Sequence, residues 1–276
     1  MKFSFIVGTI NRAEALWLCI DSLLKQTIQD FEIIIIDQSD GSSTTELIKK
    51  IKDDRIVYKK VDFKGLSKAR NTALDLASGD YFCLIDDDAN YDSRYLEVAE
   101  KYITPNTILT GYIYDTVKNG DFARYNNKND KKFLSTREIF RTCPSAGLII
   151  PMKVVQKVGT FDEMFGIGGK YGAGEETDLL LRAIAKGFKI KYINEMRLKH
   201  PIPVIKKPFD VCKSEEYYEG IGALFSKHKN EASVKLVYFE KLIKLLTKSM
   251  IYRGENKEIV SKQLCGFRRG FHSYQE

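Results

Sequence analysis

Three consecutive carboxylates, Asp86, Asp87 and Asp88, directly follow the apolar residues 81–85. The apolar run has the length and composition of a buried strand, so it predicts that the acids lie at a strand end. Adjacent carboxylates repel one another unless water or a cation screens them. Mg²⁺ and Mn²⁺ prefer oxygen ligands, and Mg²⁺ is often held by one or two protein carboxylates plus substrate phosphates. The triplet therefore predicts a divalent-metal site; the alternative is a solvated acidic turn that caps the next helix.

Two cations, Lys68 and Arg70, lie near the predicted start of a helix over residues 67–77. Taken alone, these two residues are typical of a solvated helical turn. Beside a diphosphate they could neutralise the ligand, with the Arg70 guanidinium forking two oxygens. A metal on the Asp triplet, a diphosphate on the metal and Arg70 on the other side together predict a nucleotide ligand.

A glycine-rich segment, residues 166–174, contains five glycines and precedes Glu175, Glu176 and Asp178. A carboxylate at the end of a mobile loop is well placed to act as a general base. The alternative is a loop followed by an ordinary acidic first turn of a helix. A later strand is predicted at residues 188–193 and leads to His200. His200 could contact a metal or a phosphate there, although a lone histidine is more often a satisfied surface or core residue.

Alternating strand and helix patterns position these residues. Apolar runs at residues 3–7, 31–36, 55–58 and 81–85 alternate with helical periodicity at 13–26, 44–52 and 67–77. Such alternation predicts an α/β fold with a mostly parallel sheet covered by helices on both faces. Ligands of these sheets bind beyond the carboxyl ends of the strands. The polar clusters at residues 8–12, 37–41 and 86–88 are therefore expected to face one crevice.

Composition limits the class of protein. The 276 residues are 43% hydrophobic and 29% charged, which is ordinary for a globular protein of one large domain or one domain with an appendage. No signal peptide and no membrane span are expected. The five cysteines contain no CxxC pair, so neither a disulfide framework nor a zinc site is predicted. These features predict a reduced, cytoplasmic protein.

The C-terminal quarter carries most of the net charge of +7, since residues 206–276 contain fourteen Lys and Arg against nine Asp and Glu. A basic segment suggests an anionic partner, with nucleic acid and a membrane surface as the candidates. Residues 234–251 have helical periodicity, and the apolar positions are Leu236, Phe239, Leu242, Ile243, Leu246 and Met250. This helix could dock on the catalytic core or rest on an anionic inner membrane leaflet.

Five motifs in this order resemble those of the family 2 glycosyltransferases, which use nucleotide sugars and are usually inverting. The similarity extends from about residue 3 to residue 200. The motifs are residues 8–12, residues 22–27 with 31–37, the Gly-x-Ser-x-Ala-Arg-Asn pattern at 65–71, the Asp-x-Asp type motif at 86–88, and residues 158–163 followed by Glu175-Glu176. The resemblance implies a GT-A catalytic domain over residues 1–205 and a basic helical extension over residues 206–276.

The resemblance also implies roles for individual residues. The implied nucleotide-binding residues are Thr9, Asn11, Arg12, Asp37, Lys68, Arg70, Asp86 and Asp87, with Thr9 and Asp37 at a base that is uracil or thymine in most relatives. Asp88 is the implied principal ligand of Mn²⁺ or Mg²⁺, with Asp86 nearby and His200 completing the site. Glu176 has the general-base position beside Glu175. Because Glu176 replaces the more usual aspartate, Asp178 remains a rival base.

Other departures leave the nucleotide open, since Gly8 and Ile10 replace the usual proline and tyrosine, and residues 38–40 differ from the common Asp-Gly-Ser. The implied reaction is transfer from a UDP- or dTDP-linked sugar to a saccharide or lipid-linked acceptor in surface polysaccharide synthesis, such as capsule or O-antigen. No nucleic acid partner is expected, and the basic C-terminal helix is a candidate for contact with the inner membrane surface. A sugar-nucleotide pyrophosphorylase and a non-catalytic nucleotide- or nucleic-acid-binding module remain as alternatives.

Overall fold

The computed structural model describes residues 2–117, 119–121, 131–143, 145–201 and 211–274. The strands in these ranges are β1 (Phe3–Thr9), β2 (Phe31–Asp37), β3 (Ile56–Lys60), β4 (Tyr81–Asp86), β5 (Asn90–Tyr91), β6 (Thr107–Asp115), β7 (Gly120–Asp121), β8 (Lys131–Phe133), β9 (Leu148–Pro151) and β10 (Lys189–His200). They form one sheet in the order β3-β2-β1-β4-β9-β6-β10-β5, with β7 on β6 and β8 on β10.

Helices cover both faces of this sheet. They are α1 (Ala13–Leu24), α2 (Ser43–Lys50), α3 (Leu66–Leu74), α4 (Tyr95–Glu100), α5 (Thr136–Thr142), α6 (Met152–Val158), α7 (Glu175–Ala185), α8 (Val211–Lys227), α9 (Ala232–Ile251) and α10 (Gly254–Ser273). One hydrophobic cluster packs α1 and α4 on one face, and a second packs α3, α6 and α7 on the other. No helix among the described residues is long and apolar enough to cross a membrane.

Parallel pairing places three strand ends side by side. Every residue of β2 is buried, as expected for a strand covered on both faces. In the parallel register of β1 with its two neighbours, Thr9 lies opposite Asp37 and Gly8 lies opposite Asp86. The polar clusters that follow β1, β2 and β4 therefore meet at one edge of the sheet, as the sequence predicts.

The other half of the sheet differs from the simple alternating pattern. Strand β9 pairs antiparallel with β4, which places the residues before β9 next to the end of β4. Strand β10 continues to His200, with a shift in register between Ile193 and Arg197. The predicted strand over residues 188–193 was too short, because the later part of β10 alternates buried and exposed side chains rather than forming an apolar run.

The C-terminal helices share a hydrophobic cluster with the rest of the chain. Phe225 and Phe267 of α8 and α10 lie in the same cluster as Phe165, Tyr171 and Leu181. The predicted boundary between residues 1–205 and 206–276 falls in residues 202–210, outside the described ranges, and stays a prediction. In helix α9 the residues Val234, Val237 and Leu245 are buried, so one side of this helix packs on the core.

Glycines allow α8 and α10 to approach closely. A Cβ atom on Gly270 would lie 1.9 Å from the backbone oxygen of Glu219, and one on Gly266 would lie 2.2 Å from that of Glu215. Gly222 on α8 faces the backbone of Phe267 in the same way, at 2.1 Å. The two backbones are thus too close for any side chain at these positions.

Gly270→Ala tests this contact. Alanine in an ordinary helix position is more favourable than glycine by about 1 kcal/mol, but here the clash with backbone atoms must separate the helices. We expect the free energy of unfolding to fall by about 1–3 kcal/mol, as for other overpacking changes, measured by denaturant titration. Gly41→Ala is the control, since no atom lies within 4 Å of its added Cβ. Equal stability of Gly270→Ala and the wild type would contradict the close contact.

Candidate active site

A cleft of about 830 Å³ lies at the carboxyl ends of β1 and β4. The segment 166–174, the start of α7 and one side of α8 also border it. Of the residues predicted to act, Thr9, Arg12, the three acids 86–88, Glu175, Glu176 and His200 line this cleft. The sheet and the segment before α7 therefore bring together groups that are far apart in the sequence.

Arg12 neutralises part of the Asp triplet. Its guanidinium donates to Asp87 Oδ1 at 2.8 Å and also to Asp88 Oδ2, while the Thr9 hydroxyl donates to Asp87 Oδ2 at 2.7 Å. Burial raises the pKa of Asp87, against the opposing effects of Thr9 and Arg12. Burial alone would lower the pKa of Arg12, but the charges of Asp87 and Asp88 raise it. The repulsion within the triplet is thus relieved by a neighbouring cation of the chain itself.

His200 provides a second positive group. Its Nε2 lies 3.1 Å from Asp88 Oδ1 and 3.4 Å from Asp86 Oδ2. Burial alone would lower the pKa of His200, but hydrogen bonds and charges of Asp86 and Asp88 raise it to about 10. His200 is therefore protonated at neutral pH in this arrangement, and a metal ion bound here must displace that proton.

The donor chemistry around His200 suits a hard divalent cation, since Asp86 and Asp88 supply carboxylate oxygens and His200 supplies an imidazole nitrogen. Among the described residues, no three or more His, Cys, Asp or Glu side chains are arranged with the geometry of a metal site. Asp88 Oδ2 is bonded to Arg12, and its Oδ1 faces His200. The two carboxylates and the histidine are thus close together but are engaged with cationic groups of the chain.

Arg70 lies behind the cleft rather than in its lining. Only 1% of the side chain is exposed, and one guanidinium nitrogen donates to Glu175 Oε1 at 2.9 Å. The other terminal nitrogen lies 3.7 Å from Asp86 Oδ1, which also accepts from Ser145 at 3.1 Å. The expected contact of Arg70 with base or diphosphate is therefore not supported by its position. Arg70 instead connects the end of β4 with the start of α7.

Glu176 is the carboxylate of α7 that faces the cleft together with the buried Glu175. Burial, and then the nearby charge of Glu175, raise the pKa of Glu176 well above its usual value, although Arg70 and a backbone hydrogen bond oppose the shift. The position at a helix N-terminus favours the ionised form, but the burial outweighs it. A raised pKa makes the ionised carboxylate a stronger proton acceptor than an ordinary glutamate.

Asp178 does not line the cleft. It is fully buried and pairs with Arg182, Lys227 and His228, each at 2.8 Å. Burial alone would raise the pKa of Asp178, but the hydrogen bond from His228 and the charges of Arg182 and Lys227 lower it to about 2. Residues two apart on a helix point in different directions, so Asp178 ties α7 to the end of α8 while Glu176 faces the cleft.

Besides Arg70, three further predicted nucleotide-binding residues lie outside the cleft lining. Asp37 is fully buried and accepts from the Ser39 amide at 2.8 Å and the Tyr58 hydroxyl at 2.7 Å. Asn11 has a left-handed backbone and its side-chain oxygen accepts from the amide of Asp40. Lys68 places its ammonium 4.3 Å from the centre of the Phe63 ring. Direct contact with a ligand in the cleft is therefore not supported for these three.

Other lining residues were not predicted as site residues. Gln38 accepts from the Gly65 amide at 2.7 Å, and Lys64 bonds to the Gln38 carbonyl and to Asp40. Ser145 and Tyr217 also line the cleft. Lys64 could have been identified from the sequence, because it directly precedes the motif at residues 65–71. Tyr217 could not, because its place in the cleft depends on how α8 packs.

Comparisons with known proteins identify the family. The sequence profile described as Glycosyl transferase family 2 matches residues 4–164. A protein of Methanocaldococcus jannaschii, described as an uncharacterized glycosyltransferase, is 28% identical over 226 residues, 78% of this chain and 76% of that protein. The UDP-Glc:alpha-D-GlcNAc-diphosphoundecaprenol beta-1,3-glucosyltransferase WfaP of Escherichia coli is 40% identical over 86 residues, 31% of this chain and 34% of the E. coli protein.

Similarity to a solved structure extends over the whole chain. The mannosyltransferase PcManGT from Pyrobaculum calidifontis, solved in complex with GDP-Man and Mn²⁺, has a TM-score of 0.64 at 13% identity, covering 100% of this chain and 76% of that one. These matches favour a glycosyltransferase over a pyrophosphorylase or a non-catalytic module. Because the family profile covers more than half of a chain with this fold, the protein belongs to glycosyl transferase family 2 and is a glycosyltransferase with the GT-A fold.

Proposed function

We propose that this glycosyltransferase is inverting and moves a sugar from a UDP- or dTDP-linked donor to a hydroxyl of a saccharide or lipid-linked saccharide. The observation that carries the proposal is that one cleft contains two groups of charged residues. Its acids, Arg12 and Lys64 lie at the sheet edge, and a carboxylate of raised pKa, Glu176, lies at the start of α7. Of the relatives described above, the E. coli glucosyltransferase is named for UDP-Glc and a diphosphoundecaprenol acceptor, and the Pyrobaculum calidifontis mannosyltransferase was solved with GDP-Man.

The donor diphosphate is proposed to bind at the sheet-edge end of the cleft. Arg12 and Lys64 supply positive charge there, and Thr9 and Gln38 supply polar groups toward the base and ribose. Asp86, Asp88 and His200 are the residues that would hold Mn²⁺ or Mg²⁺. When bound, such an ion stabilises the negative charge that develops on the leaving diphosphate. Arg12 would keep its ion pair with Asp87, which is not one of the residues that would hold the ion.

Glu176 is the proposed general base. It removes the proton from the acceptor hydroxyl while that oxygen forms a bond to the anomeric carbon of the donor sugar. The bond from that carbon to the diphosphate oxygen breaks, and the nucleoside diphosphate leaves with the bonding electrons. Glu175 is held by Arg70 and positions the first turn of α7, so it supports Glu176 rather than taking the proton. The displacement from the opposite face gives inversion.

Glu176→Gln tests the base. The amide cannot accept the proton, so we expect kcat/KM for sugar transfer to fall by about 10²–10⁴-fold. In the wild type the base must be ionised. Activity should therefore fall as the pH drops through the raised pKa of Glu176, on an acidic limb well above the ordinary value of 4.5. The measurement is a pH profile of kcat/KM for both proteins.

Asp178→Asn is the contrasting variant. It removes a buried charge that pairs with three cations, so it should lower thermal stability while keeping the acidic limb of the pH profile at temperatures where it is folded. Near-wild-type transfer by Glu176→Gln, or loss of the acidic limb in Asp178→Asn alone, would assign the base to Asp178.

Helix α9 is the proposed site of contact with an anionic lipid surface. Four large apolar residues, Leu236, Phe239, Ile243 and Met250, are between 56% and 75% exposed. Their spacing of three, four and seven residues places them on one side of the helix. A mainly apolar cavity of about 610 Å³ at the start of α9 extends this surface. These residues define the exposed stripe of α9.

Positive charge accompanies the exposed stripe and favours anionic lipid as its partner. Helix α9 contains four lysines and one glutamate, and Lys235 and Lys244 are exposed beside the stripe. Arg137 and Lys189 lie at the adjoining cavity. Apolar side chains with flanking lysines are the pattern of helices that lie in a membrane interface. Such contact at the inner face of the plasma membrane would bring the cleft to a lipid-linked acceptor.

A triple variant, Leu236→Gln, Phe239→Gln and Ile243→Gln, tests this contact. We expect the wild type to sediment with vesicles of phosphatidylcholine and phosphatidylglycerol, less so at high salt, and the variant to lose most of this binding. Leu18→Gln is the control, because Leu18 on α1 is similarly exposed, at 56%. If the wild type does not bind the vesicles, and size-exclusion chromatography shows a dimeric wild type and a monomeric variant, the stripe is an interface between two copies.

A further inference from the structure

The lining of the cleft is part charged and part apolar. The charged side chains of its lining come mainly from the strand ends and the start of α7, whereas α5 and α8 contribute Ile139, Phe140, Tyr217 and Ile221. Nucleotide binding uses the charged residues, so these four are left without a role in holding the donor. They line the same cleft as the carboxylate proposed to act on the acceptor.

Helix α8 presents two of these side chains to the cleft. Tyr217 and Ile221 are four residues apart and therefore lie on the same side of the helix. Tyr217 is 51% exposed although it lies in a cleft, and Tyr218 meets its ring edge-on at 5.9 Å between centres. The helix itself is fixed by the close glycine contacts with α10. Tyr217 thus offers an open aromatic surface on a rigid support.

Tyr217 and Glu176 influence one another electrostatically. Desolvation of the phenol at the cleft, and then the charge of Glu176, raise the pKa of Tyr217 above its usual value, although about half of the side chain is exposed. The phenol therefore stays neutral across the physiological range. A group bound against the ring lies in the neighbourhood of the proposed base.

We propose that Tyr217 forms the platform on which the acceptor sugar ring lies, with Ile221 and Phe140 completing the apolar wall. A pyranose ring has one face of C–H groups and an edge of hydroxyls. An aromatic ring binds the C–H face, and the hydroxyls remain directed toward polar groups. This arrangement orients one hydroxyl toward Glu176 and so lowers the entropic cost of the transfer. The proposal rests on the proposed function, because it needs an acceptor hydroxyl at Glu176.

The test compares Tyr217→Ala and Tyr217→Phe with the wild type. Donors are UDP-glucose, UDP-N-acetylglucosamine, dTDP-glucose and GDP-mannose, and acceptors are the octyl glycosides of glucose, galactose and N-acetylglucosamine. We expect Tyr217→Ala to raise the acceptor KM about tenfold, the usual scale for one aromatic contact, while the KM for the donor stays close to that of the wild type. Tyr217→Phe keeps the ring and should retain the wild-type KM. Tyr252→Ala, at an exposed tyrosine outside the cleft lining, is the control.

A binding measurement gives a second readout. Saturation-transfer NMR of the methyl glycosides in the presence of UDP and Mn²⁺ should give signals on ring C–H protons for the wild type and Tyr217→Phe, and weaker ones for Tyr217→Ala. Unchanged acceptor KM and unchanged signals in Tyr217→Ala, or equal losses in Tyr217→Phe and Tyr217→Ala, would overturn the platform. Absence of transfer by the wild type with every donor and acceptor would instead count against the proposed function.

Discussion

The concentration of three carboxylates at the end of β4 is the constraint on which the site depends. Adjacent negative charges in a half-buried cleft are unfavourable unless positive groups reach them. The chain supplies these groups from three different elements: Arg12 after β1, Arg70 on α3 and His200 at the end of β10. Their convergence requires the sheet order found here, in which β1 adjoins β4. The same excess of negative charge makes the position suitable for a divalent cation.

Arg70 connects the Asp triplet at the end of β4 with the start of α7. A buried guanidinium is costly without partners, and removal of one partner leaves an uncompensated charge. The ion pair with Glu175 and the proximity to Asp86 therefore hold the start of α7 at a fixed position relative to the end of β4. Because Glu176 is the next residue of α7, the proposed base and the Asp triplet are positioned by one buried side chain.

Much of the fold and part of the site could be predicted from local patterns. The strand-like runs of the sequence identified β1, β2, β3 and β4, and the acids after residue 85 were correctly expected at a strand end. The helical angle between positions 176 and 178 could also have separated Glu176 from Asp178, since two residues along a helix change the direction by about 200°.

The remaining differences come from contacts between distant residues. Asp37 is buried, and its carboxylate accepts a hydrogen bond from Tyr58 on the neighbouring strand. Arg70 is buried in an ion pair with Glu175, which lies 105 residues later in the sequence. Tyr217 reaches the cleft because α8 packs against α10 through glycines. None of these contacts has a local signature, whereas strand ends do.

The most direct measurement of the central claim is calorimetric binding of UDP to the wild type and to Asp88→Asn, each with Mn²⁺ and with EDTA. The account predicts that Mn²⁺ strengthens binding to the wild type by at least about tenfold, a difference of about 1.4 kcal/mol, and that Asp88→Asn loses this increment. In EDTA the variant should bind UDP no more weakly than the wild type, because one repelling charge is gone and Arg12 has lost one acidic partner. Equal affinity of the wild type with and without Mn²⁺, or a full Mn²⁺ increment in Asp88→Asn, would contradict it.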